Sequence, residues 1–154
     1  MNRLEKAQAF AKKAHEGQER KYTGEPYYNH VYSVARKVAK INNDPDLIIA
    51  ALLHDTIEDT NVTVKEIGEL FGERVAGIVY DLTDHFTPEN YPNFNRKKRK
   101  ALEAKRLGTI SDDAKTIKLC DLADNTSSIV EHDPGFAKYY LKEKADVLHE
   151  MGYR

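Results

Sequence analysis

Asp44-Pro45-Asp46-Leu47-Ile48-Ile49-Ala50-Ala51-Leu52-Leu53-His54-Asp55-Thr56-Ile57-Glu58-Asp59-Thr60 begins as an apolar run and turns abruptly acidic. Asp44 before Pro45 is a helix-start signal, a capping oxygen followed by a residue preset for the first turn. The spacing predicts a helix from Asp46 to about Glu58, anchored in the core by Ile48, Ile49, Leu52 and Leu53. At about 3.6 residues per turn, Glu58 falls one turn after His54 and Asp55, and Asp59 one turn after Asp55. If the helix persists, all four polar side chains project from one broad face. An imidazole and three carboxylates held that close are unfavourable without a cation. Imidazole nitrogen and carboxylate oxygen suit manganese, iron or zinc.

Outward from this segment the apolar positions recur at helical spacing, and strand-like alternation is nowhere convincing. Upstream, Leu4, Ala7, Ala11 and Ala14 form the stripe of a first helix ending at Gly17. A loop from Glu19 to Tyr27 enters a second helix at about Pro26, which carries His30, Val31, Val34, Ala35 and Val38 and stops at Asn42-Asn43. Downstream, Thr63 and Glu66 make a capping box for a helix whose buried side is Ile67, Leu70 and Phe71, ended by Gly72. A helix from about Arg74 to Leu82 turns Val75, Ile78 and Val79 inward. Pro88 and Pro92 make His85 to Asn93 a loop. A basic helix spans about Asn95 to Leu107, Ser111 caps one carrying Ile117, Leu119, Leu122 and Ile129, and Pro134 starts the last, ending near Gly152. The expected fold is all-α, a bundle of seven or eight helices, with residues 1–154 as a single domain.

Bulk properties narrow the function. Of 154 residues, 40% are hydrophobic and 32% charged, the balance of a globular protein rather than a disordered one. A net charge of −1 supplies no global attraction to nucleic acid or membrane, so an anionic ligand needs a local cluster of Lys and Arg. Cys120 is the one cysteine, which excludes an intramolecular disulfide and a Cys-based zinc site and suits a reducing, cytoplasmic compartment. The first ten residues lack the apolar centre of a signal peptide. The Leu47–Leu53 run is too short to span a bilayer.

Two residues of one segment do not make a tight metal site, so others must join them. His30 lies beside the apolar Val31 and Val34, and Asp121 sits inside Ile117-Lys118-Leu119-Cys120-Asp121-Leu122, where an unpaired acid is costly. Asn125 shares the face of Asp121, one turn on. Alone, a histidine at such a place is more often a hydrogen-bonded core residue, and an acid in an apolar helix a partnered structural one. Joined in the order H, HD, D, with Glu58 and Asp59 at their offsets, they are hard to explain as coincidence.

This order of residues resembles the HD-domain metal-dependent phosphohydrolase superfamily. Ala14-His15-Glu16-Gly17-Gln18-Glu19-Arg20-Lys21-Tyr22-Thr23-Gly24-Glu25-Pro26-Tyr27, then His30, is similar to the opening of the (p)ppGpp hydrolase domain of RelA/SpoT homologues. Ala50-Ala51-Leu52-Leu53-His54-Asp55 with Glu58-Asp59-Thr60 is similar to its second block, and Lys118-Leu119-Cys120-Asp121 with Asn125 to its closing one. The resemblance runs over roughly residues 5 to 130. It implies His30, His54, Asp55 and Asp121 as ligands of one divalent ion, usually manganese. It makes Glu58 and Asp59 the pair that handles the attacking water, and sets Arg20 and Lys21 against substrate phosphate. Asn125 falls near the nucleoside end, and Arg96 where the family has a phosphate-facing Lys or Arg. Cys120 and Leu122 depart from the family's usual Lys-Leu-Ala-Asp-Arg block, and residues 84–96 match its pattern poorly. With no synthetase or regulatory domain in the sequence, the resemblance implies a small stand-alone hydrolase.

The implied reaction is hydrolysis of the 3′-diphosphate of guanosine alarmones to GDP or GTP and pyrophosphate. Two alternatives stay open: a phosphohydrolase for another nucleotide, such as NADPH or a deoxynucleotide, and a catalytically quiet nucleotide- or partner-binding module. Among Arg96, Lys97, Lys98, Arg99 and Lys100, three of the five read as a solvated helix face, and the acidic remainder of the chain argues against nucleic acid as the partner. Tyr139 and Tyr140 at this spacing read as packing residues, and His15, His85, His132 and His149 as structural or surface.

Overall fold

The computed structural model describes residues 1–153. In chain order its helices are α1 (Arg3–Ala14), α2 (Tyr28–Ile41), α3 (Pro45–Leu53), α4 (Thr56–Asp59), α5 (Val64–Phe71), α6 (Glu73–Leu82), α7 (Arg96–Leu107), α8 (Asp112–His132) and α9 (Pro134–Glu150). Eight of these have eight residues or more and α4 is a single four-residue turn, so the all-α bundle stands as read. Among the described residues the only β pairing is the isolated Glu19–Pro26 bridge, which folds the α1–α2 loop back on itself. No described helix is long and apolar enough to cross a membrane.

Local chemistry sets the boundaries. Asn2, Asp44, Thr63, Asn95, Ser111 and Asp133 each accept a hydrogen bond from a first-turn amide of the helix they precede, occupying donors that the helix itself leaves unpaired. Gly72 closes α5 and opens α6 at φ +101°, in the left-handed region that only glycine enters without steric cost.

Helix α3 is the hub, packing against α1, α2, α6 and α8. Leu47, Ile49, Ala50, Ala51, Leu52 and Leu53 are all buried, because a helix surrounded by others must be apolar around its whole circumference. Val31, Val34, Ala35 and Val38 of α2, Val75, Ile78 and Val79 of α6, and Ile117 of α8 complete the core. Leu70 was expected on the buried side of α5 but is 55% exposed. Ile67 and Phe71, one turn apart, already fill the inward face, and Leu70 falls outside it.

The larger correction is at the acidic end of α3. The helix does not run to Glu58; it stops at Leu53 and restarts at Thr56. Side chains take over the carbonyls that would have continued it: His54 Nδ1 is 2.6 Å from the Ala51 oxygen, and Thr56 Oγ1 donates to the Leu53 oxygen at 2.7 Å. His54, Asp55, Glu58 and Asp59 therefore do not share one continuous helix face. The break turns His54 and Asp55 inward toward α2 and α8.

Candidate metal centre

Three chain segments deliver four donors to one point. His30 comes from the first turn of α2, His54 and Asp55 from the α3–α4 break, and Asp121 from the middle of α8. One ligand atom from each lies within 4.8 Å of the other three. Both imidazoles turn Nε2 inward. His30 Nε2 is 2.9 Å from Asp121 Oδ1 and 3.6 Å from Asp55 Oδ2; His54 Nε2 is 3.2 Å and 3.1 Å from the same two atoms.

The outer nitrogens decide what the inner ones can do. A carbonyl oxygen only accepts, so His54 Nδ1 must carry a proton toward Ala51. His30 Nδ1 is 2.6 Å from Asp124 Oδ2, a carboxylate that also receives Ser33 and Lys37. With both Nδ1–H groups turned outward, the neutral imidazoles aim two lone pairs at two carboxylates. Such a set repels itself unless a proton or a cation lies among the donors. Two imidazole nitrogens and two carboxylates suit a divalent transition metal, so the residues present fit one.

The local electrostatics point the same way. Burial works against charge on both histidines, yet the carboxylates they face outweigh it and raise both pKa values. Burial likewise disfavours charge on Asp121, but Lys118 and the two histidines hold it well below the usual carboxylate range. Asp124 also stays low against its own desolvation because His30, Ser33 and Lys37 donate to it. The surroundings of Asp121 and Asp124 keep these two carboxylates ionised.

Of the other expected residues, Glu58, Asp59, Arg20 and Asn125 border this centre, while Lys21 and Arg96 stand off from it. Glu58 is exposed as a residue, but its carboxyl has lost part of its hydration and faces Asp84; those two causes push it up to about 8. Asp59 lies near Gln18, 3.5 Å away, and desolvation followed by the Asp55 charge raises it. Arg20 is held by Asn125 Oδ1 at 3.2 Å, and Asn125 in turn donates to Asp121 at 3.2 Å. Lys21 lies over the Tyr22 ring, 5.4 Å from its centroid. Arg96 pairs with Glu143 at 3.0 Å and caps Phe136.

Two hollows share Asn125 on their walls, and the first reaches the centre through Asp121. One, of about 300 Å³, has Arg96, Lys100, Lys118, Asp121 and Asn125 on its walls. The other, of about 220 Å³, is shaped by Arg20, Lys21, Tyr22, Asn125 and Phe136. A broader depression of about 840 Å³ meets the site only at its edge, through Gln18 and Asp59.

Four contributors escaped sequence reasoning. Asp124 reaches the back of His30, the Tyr27 hydroxyl donates to Asp55 at 2.7 Å, Lys118 meets Asp121 at 3.4 Å, and Asp84 faces Glu58. For Asp124 a signal existed: it follows Asp121 by three residues and shares its helix face. Tyr27 and Asp84 lie between helices, and no periodicity marks them.

The chain is also similar to known proteins. The family model described as HD domain matches residues 7–150. Over 98% of its length the chain is 37% identical to the guanosine-3′,5′-bis(diphosphate) 3′-pyrophosphohydrolase of Aquifex aeolicus, of which it spans 21%. It is 35% identical to the human guanosine-3′,5′-bis(diphosphate) 3′-pyrophosphohydrolase MESH1, with 91% of the chain and 77% of that protein covered. The solved structure described as a metazoan ortholog of SpoT that hydrolyzes ppGpp superposes with a TM-score of 0.86 at 28% identity, covering 99% of this chain and 86% of that one.

Proposed function

The chain belongs to the HD-domain family, and on that premise we propose that it is a metal-dependent guanosine 3′,5′-bis(diphosphate) 3′-pyrophosphohydrolase acting in the cytoplasm, with residues 1–154 forming one HD domain. The observation that carries this is the convergence of His30, His54, Asp55 and Asp121 within 4.8 Å beside a hollow lined by Arg96, Lys100 and Lys118. Relatives named for this reaction match along almost the whole chain.

His30, His54, Asp55 and Asp121 would hold one divalent ion, manganese in this proposal. When bound, that ion lowers the pKa of water and offsets charge on phosphoryl oxygens. Glu58, with Asp59 beside it, positions the attacking water and takes its proton. Water oxygen bonds to the phosphorus attached to ribose O3′, that P–O bond breaks, and O3′ leaves with a proton, giving GDP or GTP and pyrophosphate. Arg20 and Lys21 meet substrate phosphate, Arg96 swings from Glu143 toward the anion, and Asn125 sits at the nucleoside end. The cationic walls answer the demand that a nearly neutral chain makes for a local anion site.

The test is a panel of ppGpp, pppGpp, NADPH and deoxynucleoside triphosphates incubated with purified protein and Mn²⁺. Turnover of ppGpp to GDP and pyrophosphate is expected, with His54→Ala and Asp121→Ala reduced to background. No turnover of ppGpp at sub-millimolar concentration sinks the assignment, and preferential turnover of another member of the panel replaces the substrate.

A further inference from the structure

Asp124 lies outside the four donors, yet the architecture around it is directed at one of them. Its Oδ2 is 2.6 Å from His30 Nδ1, the nitrogen that faces away from the centre. Its Oδ1 is fixed by Ser33 Oγ at 2.7 Å and Lys37 Nζ at 3.0 Å. His30, Ser33 and Lys37 stand at successive turns of α2, while Asp121 and Asp124 stand at successive turns of α8. Two helical stripes therefore meet, one oxygen of Asp124 being tied down by α2 so that the other is aimed at His30. Arg20 Nη2 approaches that second oxygen at 3.7 Å.

We propose that Asp124 is a positioning residue for the metal centre, fixing the ring orientation and tautomer of His30 so that Nε2 presents its lone pair to the ion. A carboxylate on the far nitrogen of a ligating histidine raises the basicity of the near one and removes ring rotation as an entropic cost of binding. Ser33 and Lys37 act one step further out, by holding the Asp124 carboxylate in the plane that His30 needs. His54 has only the Ala51 carbonyl at the corresponding place, a neutral acceptor, so the two histidines are supported unequally. A carboxylate serving merely to pair Lys37 would have no reason to make its shortest contact with the buried ring; Lys37 itself is 41% exposed.

This inference rests on the metal reading above, and the experiment separates the two. Mn²⁺ alone is titrated calorimetrically into the full chain and into Asp124→Ala, Asp124→Asn and Ser33→Ala, each first checked for native helicity. The expected result is tight binding by the unaltered protein and a loss of roughly 10- to 100-fold in affinity for Asp124→Ala. Asp124→Asn, which keeps an acceptor but no charge, is expected between the two, and Ser33→Ala to lose a few-fold. If Asp124→Ala does not fold, Asp124→Asn and Ser33→Ala carry the test. A second readout is the His30 Nδ1 proton in the Zn²⁺-loaded protein: downfield and slowly exchanging in the unaltered chain, lost to exchange in Asp124→Ala. Equal Mn²⁺ affinity in all variants with an unchanged Nδ1 proton overturns the role of Asp124 and leaves the metal site standing. Failure of the unaltered protein to bind Mn²⁺ overturns both.

Discussion

Two carboxyls that face each other share a difficulty: ionising both leaves like charges in contact, so one keeps its proton to higher pH. Glu58 faces Asp84 in this way, and desolvation together with the Asp84 charge lifts it to about 8. Glu58→Gln is expected to lower kcat by about 10²- to 10⁴-fold while Mn²⁺ affinity stays within a few-fold, because Glu58 is not among the four donors. Asp84→Asn removes the neighbouring negative charge and so lowers the Glu58 pKa. The acidic limb of the kcat–pH profile is then expected to move to lower pH; an unmoved limb would separate Asp84 from the chemistry. At this scale the clustering of His30, His54, Asp55 and Asp121 was legible in the sequence through their joint order H, HD, D and the resemblance it carries, since each residue alone reads as an ordinary core or structural one. Asp84 and Tyr27 were not, since their roles exist only once separate helices have packed; Lys118, three residues before Asp121 on α8, carried the same helical-spacing signal as Asp124.

At the scale of elements, hydrophobic periodicity and the capping residues Asp44, Thr63 and Ser111 located the helices to within a few residues. It failed at the one place where side chains compete with the backbone. His54 and Thr56 take the carbonyls of Ala51 and Leu53, a local substitution that ends α3 and that no 3.6-residue pattern contains. Thr56 is fully buried. Thr56→Val keeps its shape but strips the Leu53 oxygen of a partner, which costs about 1–3 kcal/mol. Urea denaturation is expected to show that loss together with weaker Mn²⁺ binding, since the break aims His54 and Asp55. Unchanged stability and affinity would mean that α3 ends for another reason.

For the whole molecule, two long-range arrangements matter: the close approach of α7 to α9, and the meeting of α2, the α3–α4 break and α8 at one point. A Cβ on Gly108 would stand 2.6 Å from the backbone oxygen of Glu150, so Gly108→Ala must push the helix ends apart. The expected cost is about 1–3 kcal/mol, read as a lowered midpoint in chemical denaturation; no change would mean that the α9 terminus is free to yield. An ion bound at this cluster would tie the three converging segments together. At a free Mn²⁺ concentration near 100 times its dissociation constant, folding is expected to gain about 2.7 kcal/mol, with a melting temperature that rises with Mn²⁺ and falls on chelation. A melting temperature indifferent to both would contradict a tightly held ion. The sequence foreshadowed the convergence but not its supports, because residues as far apart as Ser33 and Asp124 meet only in the folded chain.

The most direct measurement is hydrolysis of ppGpp by the Mn²⁺-loaded protein in ¹⁸O-labelled water, with both products identified by mass. Attack at phosphorus puts one heavy oxygen in pyrophosphate and none in GDP, with His54→Ala and Asp121→Ala inert. Orthophosphate as the product, label in the ribose of GDP, or turnover that survives loss of those two residues would contradict a metal-centred 3′-pyrophosphohydrolase.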